Sequence, residues 1–377
     1  MLKIKARGAE RLSKKIALVC SIESYTLGDA HLFKDVCLVP ILLGEYLGYE
    51  VTIVTAHINQ TLLHETFPNV KFARVSSEGN FEENMKLYMI EHAHEIDIAV
   101  AFGPYPSYLS ILKTYKMYNP LGKIYMKLDV NRYWLSRLLQ EPYFEELLNL
   151  CDLVTSECEP IQNKINEMLN LNVKRIPNGF YEFFPTEPVL FKDKKNVILT
   201  VGRLDSPEKQ VLPAIIAFLS AGIPNWEFRL VGPMNEDFKA KLLTLLEGNT
   251  YASQVKILGP IYDKVLLEQE YRAAKIFTLT SIVECHAHVL AEAAKNGCYL
   301  ICTDVDGVSD ITYNQRYGKI HSTSDWEGIA NTLKKVTSDE KLLSSTCYEL
   351  QSIARASLNW RDLIQQIALF LGEAPVK

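Results

Sequence analysis

The sequence has no apolar run long enough to cross a bilayer. Its longest apolar stretch, VCLVPILLG from Val36, is interrupted by Pro40 and followed by Glu45. This falls well short of the roughly 20 residues that a transmembrane helix needs. The basic N-terminal segment precedes only the short run IALVC, which favours a strand over the core of a signal peptide. We therefore expect a cytoplasmic protein without a transmembrane segment.

An excess of positive charge and a pattern of paired cysteines are also missing. The 40 Lys and Arg are outnumbered by 45 Asp and Glu, for a formal net charge of -5. No global positive field is therefore present to hold a nucleic-acid backbone. The eight cysteines include no Cys-x-x-Cys pair and no dense cluster, which is typical of reduced thiols. These absences argue against nucleic acid as a partner and against a disulfide framework.

The length of the chain and the pattern of its apolar runs predict two parallel-sheet domains. A chain of 377 residues exceeds the roughly 250 to 300 residues that one core supports. Short β-branched runs alternate with longer amphipathic stretches, as in βαβ units. The predicted strands are KIALVC, EVTIVT, VKFARV, IDIAVA, KIYMKL, LVTS and VKRIP in the first half, and NVILTVG, WEFRLVG, VKILG, KIFTLTS and CYLICT in the second. We predict an α/β fold of two Rossmann-like, doubly wound domains that face a central cleft.

The segment between the two halves, residues 178–196, contains prolines, a glycine and a charged run that interrupt all periodicity. We therefore place the domains at residues 1–180 and 181–355. Residues 356–377 are predicted to form a helix whose apolar residues share one face. We expect this helix to return to the first domain.

Two loops of the second half carry charged residues at the carboxyl ends of predicted strands, where open α/β sheets place ligands. Arg203 and Lys209 follow the run NVILTVG. A planar guanidinium and an ammonium in this position suit a diphosphate. The alternative is a solvated surface loop with a salt bridge to Glu208 or Asp205.

The second loop follows KIFTLTS and leads into a helix that is predicted to start near Ala287 or His288. Glu284 lies before this helix, and Glu292 lies about one turn inside it. Unpaired N–H groups at a helix start bind phosphate, and the two carboxylates suit sugar hydroxyls and a ribose diol. Alternatively, Glu284 is a capping group and Glu292 an exposed helix residue.

Together these features resemble the retaining glycosyltransferases of family 4, which share the GT-B fold. In that family a Gly-Arg-Leu loop with a downstream Lys precedes a Glu, seven residues and another Glu, which is the separation of Glu284 and Glu292. Further similar phrases are IPNGF, FRLVG, AAKIFTLTS and Trp360 in the terminal helix. The resemblance covers nearly the whole second half and the ordering of the first.

The resemblance implies a role for each matching residue. Arg203 and Lys209 would neutralise the departing nucleotide diphosphate in place of a metal, which is the expected main source of catalysis. Glu284 would contact hydroxyls of the transferred sugar, and Glu292 the ribose. The second domain would thus bind the donor and the first the acceptor. Backbone amides would contact phosphate and sugar at His286, Ala287, His288 and Val289.

The sequence departs from the family at three places. Cys285 and His286 stand where Gly and an aromatic residue are frequent, which leaves the donor sugar open. Gly28 alone represents the paired glycines near the donor phosphate. Asp129, in KLDVN, stands where the family often has a His-Asp pair and is interpreted as an acceptor-side or sugar-side residue.

Two patterns imitate metal sites. Asp304-Val305-Asp306 imitates the Asp-x-Asp motif of the other glycosyltransferase fold, but it leads into Gly307, where oxygen ligands do not obviously converge. Cys285, His286 and His288 are soft ligands, yet neighbouring positions at a helix start converge poorly and a fourth ligand is missing. We therefore expect no metal and no cofactor besides the nucleotide-sugar co-substrate.

The sequence thus predicts a retaining, metal-independent hexosyltransferase. It would move sugar from a nucleotide diphosphate donor, by default a UDP-sugar, to a hydroxyl of a glycan, glycoprotein or lipid-linked acceptor. The alternative, motivated by Cys285, His286 and the poor glycine loop, is a GT-B-like subunit that has lost turnover and supports a partner glycosyltransferase. Basic residues of the first half permit only weak, peripheral membrane contact, since the overall charge is near neutral.

Overall fold

A computed structural model of the chain describes residues 13–24, 26–59 and 63–375. These residues form two compact units. The first comprises the described parts of residues 1–156, 162–176 and 364–377, and the second comprises residues 157–161 and 177–363. Helices and parallel sheets build both units, so the predicted α/β class with two parallel-sheet domains is confirmed.

Strands and helices alternate along the first half of the chain, as the apolar runs predict. The elements up to residue 175 are β1 Lys15–Val19, β2 Thr26–Gly28, α1 Asp29–Leu32, α2 Asp35–Leu47, β3 Glu50–Thr55, β4 His57–Asn59, α3 Leu63–Thr66, β5 Val70–Arg74, α4 Phe81–His92, β6 Ile98–Phe102, α5 Ser107–Tyr118, β7 Lys123–Lys127, α6 Arg132–Leu138, α7 Pro142–Leu150, β8 Leu153–Ser156, α8 Glu159–Leu169 and β9 Lys174–Arg175.

The main sheet of the first unit has seven strands in the order β5-β3-β1-β6-β7-β8-β9, with every pair parallel. The chain runs from β1 outward to β3 and β5, then returns to β6 on the other side of β1. The order therefore reverses between β1 and β6. In open α/β sheets such a reversal opens a crevice at the carboxyl ends of the two strands.

The second half repeats this alternation. Its elements are β10 Lys195–Val201, α9 Val211–Ala221, β11 Glu227–Val231, α10 Glu236–Leu246, β12 Val255–Gly259, α11 Lys264–Ala273, β13 Ala274–Leu279, α12 His288–Lys295, β14 Tyr299–Thr303, α13 Val308–Ile311, β15 Gly318–His321, α14 Trp326–Val336, α15 Glu340–Ser357 and α16 Trp360–Phe370. Its parallel sheet has six strands in the order β12-β11-β10-β13-β14-β15, so here the reversal lies between β10 and β13.

Both faces of the second sheet are covered by helices, which explains why its strands are apolar throughout. Leu199 and Phe277 pack on one face in a buried cluster with α12 and α15. Ile198 and Ile276, their chain neighbours, pack on the other face with α9 and α14. Adjacent residues of a strand point to opposite faces, so a doubly wound sheet needs apolar side chains at consecutive positions.

The C-terminal segment after α16 is bound to the first unit by the carboxylate of Glu373. This group accepts hydrogen bonds from the ammonium of Lys123 at 2.6 Å and from the hydroxyl of Tyr49 at 2.6 Å. The ammonium of Lys14 lies 3.2 Å away. These contacts hold the pKa of Glu373 below its usual range despite the opposing effect of burial, so the carboxylate stays ionised.

Candidate functional site

A small pocket in the second unit lies where the strand order reverses, at the carboxyl ends of β10 and β13. Its walls include Gly202, Arg203 and Lys209 after β10, and Thr280 and Ser281 after β13. The structure therefore brings both charged loops identified in the sequence to one crevice of the kind that binds ligands in α/β sheets.

The loop after β10 is positioned by a close backbone contact with Gly232. The N–H of Gly202 donates to the carbonyl of Val231 at 3.0 Å. A Cβ atom at Gly232, where φ is +145°, would lie 1.7 Å from the Gly202 carbonyl oxygen. Only glycine allows this approach, so Gly232 fixes where the Arg203 loop leaves the sheet.

Hydrogen bonds join the loop after β10 to the loop after β13. The N–H of Ile282 donates to the carbonyl of Glu208 at 2.8 Å, and the hydroxyl of Thr280 donates to the carbonyl of Lys209 at 2.9 Å. The hydroxyl of Thr303, at the end of β14, donates to the carbonyl of Ser281. The charged side chains therefore stand on a connected backbone rather than on two independent loops.

Lys209, which lines this crevice, forms an ion pair with Glu284. The hydroxyl of Ser281 donates to the same carboxylate oxygen of Glu284 at 2.6 Å. The side chains of Lys209 and Glu284 are 23% and 15% exposed, so the pair is partly shielded and less screened than a surface pair. The sequence placed both residues in one site, but their direct pairing and the contribution of Ser281 were not foreseen.

Arg203 is paired as well, but on the solvent side. Its guanidinium lies 3.0 Å from the carboxylate of Glu208, and its side chain is 69% exposed. A hydrogen bond from Ser206, together with the charge of Arg203, lowers the pKa of Glu208. The salt bridge with Glu208 that the alternative interpretation predicted is thus present. An exposed pair is weak, so Arg203 remains able to exchange Glu208 for another anion.

We therefore expect Glu208→Gln to strengthen binding of UDP, because Arg203 loses a competing carboxylate. The gain should reach at most about 5-fold, since exposed ion pairs contribute about 0.2–1 kcal/mol. Isothermal titration calorimetry measures it directly. Glu236→Gln on α10, an exposed carboxylate distant in sequence from both loops, is the matched control and should leave the affinity unchanged. Weaker UDP binding in Glu208→Gln would contradict the role given to Arg203.

Glu292 is held by a tyrosine of the neighbouring helix. The hydroxyl of Tyr271, on α11, donates to the Glu292 carboxylate at 2.7 Å. Burial and the nearby Glu292 charge raise the pKa of Tyr271, so this hydroxyl stays protonated. Tyr271 was not foreseen, because it lies 21 positions before Glu292 and the two residues meet only in the folded chain.

Helix α12 begins at His288, within the predicted region, and Ala287 is its N-cap without a side-chain hydrogen bond. In any α-helix, the first backbone N–H groups have no hydrogen-bond acceptor within the helix itself. His286 is buried, its carbonyl accepts from the side chain of Asn178 at 2.9 Å, and its ring packs against Gly307. At His286 the structure thus shows a packing role for the side chain.

Two further candidates, Gly28 and Asp129, lie in the first unit. Gly28 ends β2, and its N–H donates to the imidazole of His31 at 3.1 Å. Asp129 follows β7 in a left-handed conformation with φ of 47°, which a non-glycine residue adopts only at some cost. Asp129 also lines a pocket at the carboxyl ends of β1, β6 and β7.

Metal ligands do not cluster in the part of the chain that the structure describes. Among residues 13–24, 26–59 and 63–375, no group of three or more His, Cys, Asp or Glu is arranged to hold a metal ion. The same residues include no helix that is both long and apolar enough to cross a membrane.

Three basic residues of the first unit have carboxylate partners: Lys113 pairs with Glu146, Lys116 with Asp152 and Lys123 with Glu373.

The fold and the charged crevice define an α/β protein of GT-B type. Residues 186–350, most of the second unit, match the family described as Glycosyl transferases group 1. The chain is also 26% identical over 182 residues to a phosphatidyl-myo-inositol mannosyltransferase of Mycolicibacterium smegmatis strain ATCC 700084 / mc(2)155. That match covers 47% of this chain and 46% of the relative, so the matched segment spans about half of each protein.

Solved structures resemble the chain over nearly its full length. HepE of Anabaena, crystallised in complex with UDP, has a TM-score of 0.72 at 18% identity and covers 95% of this chain and 99% of its own. A glycosyltransferase of Rickettsia africae ESF-5 has a TM-score of 0.72 at 14% identity, covering 96% and 98%. Sucrose-phosphate synthase of Thermosynechococcus elongatus has a TM-score of 0.67 at 16% identity, covering 94% and 98%. Because the sequence identities are only 14–18%, the structural similarity establishes a shared fold and nothing more.

Proposed function

We propose that the protein is a retaining, metal-independent glycosyltransferase that moves a hexose-type sugar from a UDP-sugar to an acceptor hydroxyl. The observation that carries this proposal is the grouping of Arg203, Lys209 and Glu284 where the second sheet reverses its order. The match of residues 186–350 to Glycosyl transferases group 1 supports the same reaction class.

Arg203 and Lys209 supply positive charge to stabilise the departing diphosphate. A glycosidic bond to a nucleotide breaks when the diphosphate leaves with additional negative charge. Lys209 and Arg203 both line the crevice before this charge develops, and α12 begins at His288, four residues after Glu284 in the chain. Preorganised positive charge of this kind stabilises a transition state without reorganising at the moment of reaction.

The donor assignment combines this chemistry with the nucleotide seen in similar proteins. HepE of Anabaena was solved in complex with UDP, with UDP and glucose, and with UDP-glucose, and the Mycolicibacterium relative is a mannosyltransferase. We assign Glu292 to the ribose hydroxyls and Glu284 to the transferred sugar. Retention then requires the acceptor to attack from the face that the diphosphate leaves, which keeps the product configuration.

A donor panel tests the proposal. UDP- and GDP-linked hexoses are incubated with a mixture of oligosaccharide and lipid-linked acceptors, and products are identified by mass spectrometry. We expect transfer or slow hydrolysis from a UDP-hexose, an α-linked product from an α-linked donor, and full activity in EDTA. A strict requirement for manganese would contradict the charge-neutralising role of Arg203 and Lys209, and an inverted product would contradict retention.

Nucleotide binding separates this proposal from the alternative of an inactive supporting subunit. In a thermal-shift series, stabilisation by UDP accompanied by turnover of a UDP-sugar supports the enzyme. Stabilisation by UDP or GDP with no turnover of any donor, even with a broad acceptor mixture, favours the supporting subunit. Absence of any nucleotide effect would reject the site in the second unit altogether.

A further inference from the structure

A buried tyrosine of the second unit, Tyr271, has its hydroxyl on a carboxylate of the candidate site. The residue is 1% exposed, and its hydroxyl donates to Oε2 of Glu292 at 2.7 Å. A hydroxyl that is removed from water costs free energy unless it finds such a partner. Phenylalanine would fill the same space without this requirement, so packing alone does not explain the hydroxyl.

The core of the second unit holds Tyr271 in place. Its ring stacks on Phe277 of β13, with the ring centroids 5.8 Å apart and an angle of 29° between the planes. The thiol of Cys298 donates to its backbone carbonyl at 3.5 Å, and the residue belongs to the same buried cluster as Leu290 of α12. Because side chains in a close-packed core keep one arrangement, the hydroxyl is a donor at a defined point.

The contact with Tyr271 fixes the direction of a side chain that is otherwise flexible. A glutamate side chain samples several rotamers, and holding one of them costs conformational entropy. The hydrogen bond to Glu292 offsets this cost before any ligand arrives. It also leaves acceptor capacity, since a carboxylate has about four lone-pair sites and the phenol uses one of them on Oε2.

The partner of Glu292 is neutral, whereas the partner of Glu284 is a cation. Burial raises the pKa of Tyr271, so the phenol stays protonated and adds no charge. Lys295, one turn further along α12, lies 2.9 Å from Glu268 in a pair whose side chains are 4% and 12% exposed. Tyr271 thus orients the Glu292 carboxylate without neutralising it, and an ionised acceptor forms the stronger hydrogen bonds with neutral hydroxyls.

An oriented carboxylate distinguishes two neighbouring hydroxyls from one. A ribose presents two such hydroxyls, and both can donate to the same carboxylate. A 2′-deoxyribose presents one, so part of the acceptor capacity of Glu292 is left without a donor. Sites built to hydrogen-bond a hydroxyl discriminate strongly against ligands that lack it. A carboxylate that is free to turn away loses this discrimination.

We propose that Tyr271 is a positioning residue that holds Glu292 ready for the ribose diol, and that the pair thereby selects ribonucleotide over 2′-deoxyribonucleotide donors. This rests on the proposed function, which assigns Glu292 to the ribose. It deepens that function because it excludes sugars linked to deoxythymidine diphosphate, whose phosphates would suit Arg203 and Lys209 equally well.

Calorimetry with UDP and 2′-deoxyuridine diphosphate tests this inference on the full-length protein. The wild type should bind UDP at least about 10-fold more tightly, as the loss of a hydrogen bond to a charged group predicts. Tyr271→Phe keeps the ring and removes the hydroxyl. It should weaken UDP binding by about 5- to 10-fold and binding of the deoxynucleotide by about 2-fold at most, so the preference for ribose shrinks.

The matched control is Tyr317→Phe. It removes another buried phenol hydroxyl of the second unit that donates to a glutamate, Glu349, at 3.0 Å, and neither residue lines the cavities around Lys209 or Glu292. It should leave both affinities unchanged. In a Glu292→Gln background, Tyr271→Phe should not reduce the ribose preference further, because the two residues act as a unit.

Three results overturn the inference. Equal weakening of both nucleotides in Tyr271→Phe would show that the hydroxyl only stabilises the fold. Tighter UDP binding in this variant would show that Tyr271 competes with the ribose for Glu292. Equal affinity of the wild type for the two nucleotides would show that the pair does not select the ribose at all.

The outcomes also separate this inference from the proposed function. Turnover of a UDP-sugar with an unchanged ribose preference in Tyr271→Phe leaves the glycosyltransferase proposal intact and rejects the positioning role. A ribose preference that depends on Tyr271, with no turnover of any nucleotide sugar, keeps the positioning role and rejects the enzyme.

Discussion

Glu284→Gln is expected to bind UDP more tightly while transferring sugar far more slowly. In the unliganded protein the Glu284 carboxylate neutralises Lys209, so a diphosphate must compete with it. Removing this charge should tighten UDP binding by about 10-fold, more than Glu208→Gln, because the pair is less exposed. The same change removes the group assigned to the sugar and should lower kcat by about 100-fold or more. Calorimetry with UDP and single-turnover transfer assays measure the two effects separately.

Lys209→Met distinguishes this competition from a general disturbance of the loop. It should weaken UDP binding and lower transfer together, and the double variant should show no further effect of Glu284→Gln on UDP, since the pair acts as a unit. Lys241→Met, in an exposed pair with Asp237 on α10, is the control and should change neither. A wild-type transfer rate in Glu284→Gln would show that Glu284 takes no part in the reaction. Unchanged UDP affinity in Lys209→Met would show that Lys209 does not bind the phosphates.

The architecture could be predicted from the sequence because strands that are covered on both faces must be apolar at consecutive positions, and such runs are easy to recognise. EVTIVT and LVTS became β3 and β8 with the predicted bounds. The short strands β2, β4 and β15 were not predicted. Each has three or four residues with no continuous apolar run, and it is backbone pairing rather than burial of its own side chains that defines such a strand.

The position of the two charged loops could be predicted from the sequence, whereas the contacts between their side chains could not. Residues that follow a buried strand must lie at the edge of the sheet, so the positions of Arg203 and Glu284 followed from the pattern alone. The pair of Lys209 and Glu284 joins residues 75 positions apart, and it depends on β10 and β13 being neighbours in the sheet. The order of strands in space leaves no local trace in a single sequence, so this pair could be identified only from the three-dimensional structure.

Lys127→Met is expected to be the most destabilising substitution among those considered. It removes the ammonium that lies 2.8 Å from the buried carboxylate of Asp35, and breaking a buried ion pair in this way typically costs about 3–5 kcal/mol. Lys127 also lies 5.5 Å from the ring centroid of Phe102, so a cation–π contact disappears as well. For a unit of this size the midpoint of thermal unfolding should fall by about 6–20 °C. Differential scanning calorimetry of the full chain, with UDP to mark the second unit, assigns the affected transition.

The double variant Lys127→Met with Asp35→Asn decides whether charge is the cause. The amide retains an oxygen able to accept from the N–H of Val36, as the carboxylate does at 3.1 Å. Neither member of the pair then carries a charge, so much of the lost stability should return. Lys71→Met is the matched control: it also removes a strand lysine paired with a carboxylate, but this lysine is 62% exposed and the change should be within about 1 kcal/mol. Equal destabilisation in the single and double variants would show that lysine packing, rather than its pairing with Asp35, stabilises this end of β7.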